Sequence, residues 1–341
     1  MLFWILSACI FHKADRMTLT QVSPAVLQTP DISMACTLGE ASWALLPAIE
    51  DEKLRRSATF SGISAAMCSD IRTWELELER RQALYLASQS AEPEIWSTRA
   101  SDIALREQRA HVEAARRHLR IFESLEAEYG PVGEACPDLA DEEQLLYLMG
   151  LASGSLAVLH DGAADHALDV NQGIARAVER GAACLDSTAL NGVPMALRAS
   201  VWTAVPGAGP QDADPWTELE TAALQGDSQG VWLARALQAQ AANAAGNEDA
   251  LNAAFAGHLT AMEAGGDPAY GLLNDYAHRM IRHESDRIWM DAAGTRTPSG
   301  RLGERPGAEL DVDFDLDAFF GEDAAPESAP AEDPTPSEET E

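Results

Sequence analysis

The amino-acid sequence predicts an all-α protein assembled from antiparallel helix pairs. Three observations carry the prediction. Every strong hydrophobic periodicity in the 341 residues lies near the helical repeat of about 3.6, no segment sustains a period-two alternation, and helix start and stop residues recur at short intervals. With 46% hydrophobic residues the chain can bury one large core or two small ones. The close spacing of the helices favours one elongated body, 33–293, between a signal-like segment with a linker, 1–32, and an acidic tail expected to be disordered, 294–341.

Pro24 and Pro30 mark residues 10–31 as a linker, and a first helix runs over 33–46 until Pro47 stops it. A longer helical region covers 50–88, with Ile71, Trp74, Leu78 and Tyr85 on one face and Gly62 as a point of bending or splitting. Its Glu75, Glu79, Arg80 and Arg81 read as a solvated face supported by i,i+4 pairs. After Pro93, Ser97 or Ser101 can cap a helix ending at Tyr129, with Ile103, Ala110, Ala114, Ile121 and Leu125 as its apolar stripe and Gly130-Pro131 as its stop. Asp138 is the predicted cap of an apolar helix over 139–159. There Leu145, Leu148, Met149, Ala152, Leu156 and Leu159 form one face, and Leu146, Gly150, Gly154 and Ala157 another. Two apolar faces predict a central helix, with Gly150, Ser153 and Gly154 admitting a close neighbour. The next helix lies between Asp169 and Leu185, and Asn191-Gly192 turns the chain into another ending at Val205. Asp214-Pro215 and Asp267-Pro268 are acidic caps with proline at the first helical position. Helices are predicted at 215–224, 229–244, 247–262 and 268–292, the last burying Tyr270, Leu273, Ala277, Ile281 and Ile288.

Paired helices with small residues at their contacts suggest a tetratricopeptide-repeat-like α-solenoid bundle. Ala175, Ala182 and Leu185-Asp186 have the spacing of a second repeat helix; Leu146, Met149 and Gly150 resemble part of a first. The segment His160 to Gln172 separates them as an insertion.

The net charge of −31, with Lys13 and Lys53 the only lysines, opposes nucleic-acid binding, which requires a Lys/Arg surface. It suits a basic partner, a salty environment, or solubility alone. The five cysteines (Cys9, Cys36, Cys68, Cys136 and Cys184) contain no C-x-x-C pair, which excludes the common zinc and thioredoxin-like patterns. Their wide spacing offers no disulfide framework, and Cys36, Cys68 and Cys184 read as small buried hydrophobes. At the N-terminus, MLFWILSACIF contains Leu6-Ser7-Ala8-Cys9, which is similar to a bacterial lipobox and makes Cys9 the candidate lipidation site. The apolar stretch before it is short and lacks a basic flank. Either the true start lies upstream and the protein is an exported lipoprotein, or Met17 or Met34 is the start and the protein is cytoplasmic. No other stretch is expected to span a bilayer.

The segments LLYLMGLASGSLAVLHD (145–161), LDVNQGIARAVERGAACLD (168–186), NGVPMALRASVWTAVPG (191–207), DPWTELETAAL (214–224) and LARALQAQAANAAGNEDALNAAF (233–255) follow one another along the chain. Taken in order, they resemble the TatT component family of tripartite ATP-independent periplasmic (TRAP) transporters. The resemblance implies a lipid-anchored periplasmic protein with degenerate tetratricopeptide repeats. Its role would be accessory, scaffolding a periplasmic substrate-binding protein or passing on an apolar ligand. A homo-oligomer is compatible with it. The short leader and the acidic tail depart from the family pattern. The other expectation is a cytoplasmic adaptor that takes a protein partner through a groove or the tail.

No catalytic residue, cofactor or metal site is expected. His160-Asp161 is a dipeptide of metal-dependent phosphohydrolases, with His166 nearby, but the further spaced ligands of that class are missing; His160 reads as a helix-terminal histidine. His111 and His118, two turns apart on a charged helix, read as solvated, and His278 and His283 do not have H-E-x-x-H spacing. Tyr147, Met195, Trp202 and Trp232 are the expected walls of an apolar groove between helix pairs, or else core residues. Within the tail, LDVDFDLDAFF places Leu310, Val312, Phe314, Leu316, Phe319 and Phe320 in an acid-apolar alternation. That is either a docking motif or part of a solubilising tail.

Overall fold

The computed structural model describes residues 13–45 and 54–307, and contains helices but no strand among them. Cys9 and the tail residues Leu310, Val312, Phe314, Leu316, Phe319 and Phe320 lie outside the described residues. A helical N-terminal segment with a π-turn at Thr18–Val22 leads into α1 (Ser23–Leu27) and α2 (Ile32–Leu45). Two long helices follow, α3 (Arg55–Gln89) and α4 (Pro93–Tyr129), of 35 and 37 residues. Shorter ones complete the chain: α5 (Asp141–Ala163), α6 (Gly173–Ala182), α7 (Val193–Ala204), α8 (Pro215–Ser228), α9 (Leu233–Ala245), α10 (Glu248–Ala264) and α11 (Gly271–Ala293). The all-α prediction holds, and successive helices from α2 to α10 pack on one another.

Most boundaries follow the expected chemistry. Asp214 and Asn247 cap α8 and α10 by accepting the Thr217 and Ala250 amides, and Asp267 accepts from Ala269 to start the 3-10 turn before α11. Asn191 and Gly192 both adopt positive φ at the turn into α7. Some starts differ. Pro93 is itself the first residue of α4, so no serine cap is needed. At α5 the Glu143 carboxylate reaches back to the Ala140 amide at 3.0 Å, replacing the expected Asp138 cap.

Small residues set the helix spacing. A Cβ on Gly39 would meet the Ala65 nitrogen at 2.5 Å and the Ser61 carbonyl at 2.8 Å, so α2 lies backbone to backbone on α3. Gly62 does not split α3, which runs unbroken through it; a Cβ there would meet Ile121 of α4 at 2.9 Å. Gly150 and Gly154 of α5 sit against Leu125 and Phe122 of α4, as a central helix requires. By length and composition α5 could cross a membrane, contrary to the expectation that no such stretch exists. Its central position accounts for that composition.

The cysteines depart from the sequence reading. Cys36 of α2 is bonded to Cys68 of α3, and Cys136 is bonded to Cys184, the second bridge tying the two ends of the α5–α6 unit. Pairing across 32 and 48 residues depends on helix packing, which residue spacing does not reveal.

The last helix closes the structure. α11 packs on α9, from which α10 separates it in the chain, and also returns to α3. Arg81 of α3 pairs with Asp291, and Gln82 donates to the Gly294 carbonyl. A stack of repeats contacts only nearest neighbours; this return adds a seam between distant parts of the chain.

Candidate functional site

The α3–α4 hairpin, the end of α5 and the returning α11 enclose a polar cluster around Asp70. Its carboxylate is 2% exposed and no arginine or lysine pairs with it among the described contacts. Three other helices supply its partners. His118 Nε2 of α4 lies 2.8 Å from Oδ1, and His160 Nε2 of α5 lies 3.1 Å from the same oxygen. The Tyr276 hydroxyl of α11 donates to Oδ2 at 2.6 Å. The other ring nitrogen of His160 is 2.8 Å from His111 Nδ1, one face of α4 presenting both His111 and His118. The His118 and His160 rings are nearly parallel, 8° apart with centroids 5.6 Å apart.

One arrangement of protons satisfies nearly every group. Asp70 ionised accepts from both Nε2–H groups and from Tyr276, while His160 Nδ1 accepts from His111 Nδ1–H. His118 Nδ1 remains without a partner. Burial alone would raise the Asp70 pKa, but His118 and then His160 outweigh it and hold the carboxyl far below its usual range. Burial and the Asp70 charge push the Tyr276 phenol well above its ordinary value. His111, desolvated and beside His160, is pushed down to about 4.

The cluster extends along the α3–α11 seam. Trp74 lies between Tyr276 and His283, with centroid distances of 5.6 and 5.4 Å. His283 Nε2 is 3.0 Å from Glu77, which also binds Arg81 and Arg287. Against the opposing effect of burial, the His283 hydrogen bond and the two arginines keep Glu77 well below the usual carboxylate range.

Several sequence expectations are corrected here. His118 is buried and His111 partly so, rather than solvated. The presumed solvated face of α3 is also engaged: Arg80 pairs with Glu107 of α4, Arg81 with Asp291, and Glu75 with Arg296. The dipeptide His160-Asp161 divides its roles. His160 points into the cluster, whereas Asp161 accepts the Leu168 and Val170 amides and holds the loop after α5. The expected absence of a metal-ligating set also needs revision, because Asp70, His118 and His160 each place a ligand atom within 4.8 Å of the others. The i,i+7 spacing of His111 and His118 on α4 was the sequence signal available.

The expected groove residues are dispersed. Tyr147 is 1% exposed and packs edge-on against Tyr129, so it cannot wall an open groove. Met195 is half-buried. Trp202 donates to Glu179 under the Arg198 guanidinium, and Trp232 packs edge-on against His258. A cavity of about 440 Å³ opens elsewhere, between residues 14–22, α2 and the start of α3. Val22, Leu38, Leu45, Leu54 and Phe60 make its wall largely apolar.

A second buried charged centre lies in the C-terminal half. The Arg235 guanidinium is fully enclosed and reaches Asp227 at 2.6 Å, Glu220 at 2.8 Å and Gln238 at 2.7 Å. The Arg235 nitrogens all meet protein acceptors, while Asp227 Oδ1 is left without a partner. Against known proteins, no family model, no curated protein and no solved structure matches the chain.

Proposed function

We propose that the chain is a non-catalytic helical scaffold of an oxidising, exported compartment, and that it acts by holding an apolar ligand or a protein partner. The observation that carries this reading is the pairing of Cys36 with Cys68 and of Cys136 with Cys184. Structural disulfides persist where thiols are not kept reduced, as in the periplasm, and are rare in cytosolic proteins. The apolar-walled cavity is within the about 300–1,000 Å³ typical of ligand sites and supports a binding role. The more specific role, a TatT-like accessory lipoprotein beside the substrate-binding protein of a TRAP transporter, is supported by the segment resemblance and by the lipobox-like Cys9. A cytoplasmic adaptor is the competing reading, and the same bridges weigh against it.

Expression from the native locus in a Gram-negative host tests the proposal. Cells are quenched with acid, free thiols alkylated, and the bridges then reduced and counted. The expected result is protection of Cys36, Cys68, Cys136 and Cys184 before reduction, in protein released with the periplasmic or membrane fraction. Cys9→Ala should move membrane-bound protein to the soluble periplasm. Four alkylated cysteines in a cytoplasmic fraction would refute export and leave the adaptor.

A further inference from the structure

Asp70, His118 and His160 come from three different helices and converge on one point. Both imidazoles aim Nε2 at the same carboxylate oxygen, at 2.8 and 3.1 Å, while the second oxygen is occupied by Tyr276. Convergence of two imidazoles and a carboxylate on one small volume is an arrangement that a cation can occupy. In a tetrahedral zinc site, ligands at about 2.0–2.1 Å stand roughly 3.3 Å from one another, close to the observed separations. The surrounding groups also have the character of an outer shell, where ligands are fixed by hydrogen bonds to their remaining atoms. His111 holds the free nitrogen of His160, and Tyr276 holds the free oxygen of Asp70.

We propose that Asp70, His118 and His160 bind one divalent transition-metal ion of the zinc type, which clamps α3, α4 and α5 together. Charge favours this occupant: among the described contacts no arginine or lysine neutralises the buried Asp70 carboxylate, whose partners are two imidazoles and a phenol. The donor set selects the class of ion. Two imidazoles and one carboxylate suit Zn²⁺ and its neighbours in the first transition row, whereas Ca²⁺ takes six to eight oxygens and Mg²⁺ an octahedral oxygen set. The four cysteines of the described residues are all in disulfides, so no thiolate among those residues competes for the ion. The burial of all three ligands closes the ion off from the surface, so that it is loaded during folding or a local opening, and the fourth position of a tetrahedral site is left to a water. This inference goes beyond the scaffold proposal and does not depend on where the protein resides.

The test uses the full chain with its disulfides intact, purified and stripped with a chelator. Zn²⁺ or Co²⁺ is added as the probe, in buffer with millimolar Mg²⁺ to saturate surface acids. One Zn²⁺ per chain is expected by elemental analysis after gel filtration, with a rise of Tm by several degrees, because a ligand that binds only the folded state stabilises it. Co²⁺ should give the visible d–d bands of a nitrogen/oxygen site of low coordination number, displaced by one equivalent of Zn²⁺. His118→Gln and His160→Gln should each lower affinity at least tenfold, while His166→Gln, altering an exposed histidine, should leave it unchanged. Because the first two substitutions could impair folding, the Co²⁺ spectrum of the unsubstituted protein decides independently. Absence of d–d bands and of a Tm shift, or zinc retained equally by all the variants, would overturn the metal site and leave a hydrogen-bonded histidine–aspartate cluster.

Discussion

The Cys136–Cys184 bridge gives a perturbation whose size can be worked in advance. It joins residues 48 apart, Cys136 exposed and Cys184 half-buried, on either side of the α5–α6 unit. Replacing both by serine removes a cross-link near the surface without opening a core cavity. The loss is therefore mainly the chain entropy that the bridge withholds from the unfolded state. For a loop of this length that entropy is about 14 cal/mol/K, or about 4 kcal/mol at 25 °C. The native contacts beside the bridge survive, since Arg180 still donates to the Gly133 carbonyl at 2.9 Å. Urea titration followed by far-UV circular dichroism reads the difference, with the unfolded double variant freer and the midpoint lower. The Cys36–Cys68 bridge closes a 32-residue loop and should be worth slightly less by the same relation, but its Cys36 is buried, so serine substitution there adds a packing cost. If the surface pair is confirmed as oxidised and the double serine variant loses less than about 1 kcal/mol, the chain-entropy account fails.

Three further outcomes are expected. Gly39→Ala should cost on the order of 2 kcal/mol by thermal or urea unfolding, because its Cβ meets the Ala65 and Ser61 backbone and neither helix can yield locally; an unchanged midpoint would show that α2 is not held this closely. Arg235→Ala should cost about 3 kcal/mol, since it strands the mostly buried Asp227 beside a vacancy, whereas Glu220, 39% exposed, can turn to water; a surface-like loss below about 0.5 kcal/mol in a denaturant titration would contradict the Arg235–Asp227 pairing. Stability should also fall with acid. His258 is pushed down to about 3 by burial, then by His278 and Arg235, from an ordinary 6.5. The unfolded chain takes up its proton first, so stability is full above pH 6.5 and declines toward pH 3, by on the order of 4 kcal/mol. His258→Asn should flatten that part of the pH profile, and a parallel profile for parent and variant would refute the assignment.

What could be read from the sequence and what could not divide along a physical line. Helices α8, α10 and α11 were legible because their signals are local: Asp214 and Asn247 cap within three residues, and Asp267-Pro268 begins the turn ahead of α11. The stripe Ile103, Ala110, Ala114, Ile121 and Leu125 was legible because a period needs only one helix, and each of these residues is buried. The same reasoning misjudged His111 and His118. They share a face of α4 with charged neighbours, and only the approach of α3 and α5 turns that face inward. Asp70 had no signal of its own, since its partners lie 48, 90 and 206 residues away. The disulfides failed for the same reason, their spacing being a property of packing.

The seam between α3 and α11 shows why the missed residues belong together. Asp70, Trp74, Glu77 and Arg81 recur at helical spacing on α3, and each meets a residue of α11: Tyr276, then Tyr276 and His283, then His283, then Asp291. A polar stripe of this kind inside a helix pair is expensive unless every member finds its partner, and a half-satisfied stripe is worse than an apolar one. The partners are found here by the last helix returning across the molecule, so the buried charge of Asp70 and the closure of the fold are the same physical event. A substitution such as Tyr276→Phe should therefore do two things at once. It should remove the 2.6 Å donor from Asp70, at a cost of about 1.5–3 kcal/mol for a hydrogen bond to a charged group. It should also loosen α11, seen as faster amide exchange in 276–293 than in α8. Loss of stability without that regional exchange would mean that α11 is held by its apolar contacts alone, and that the polar seam selects the pairing of the helices without fastening it.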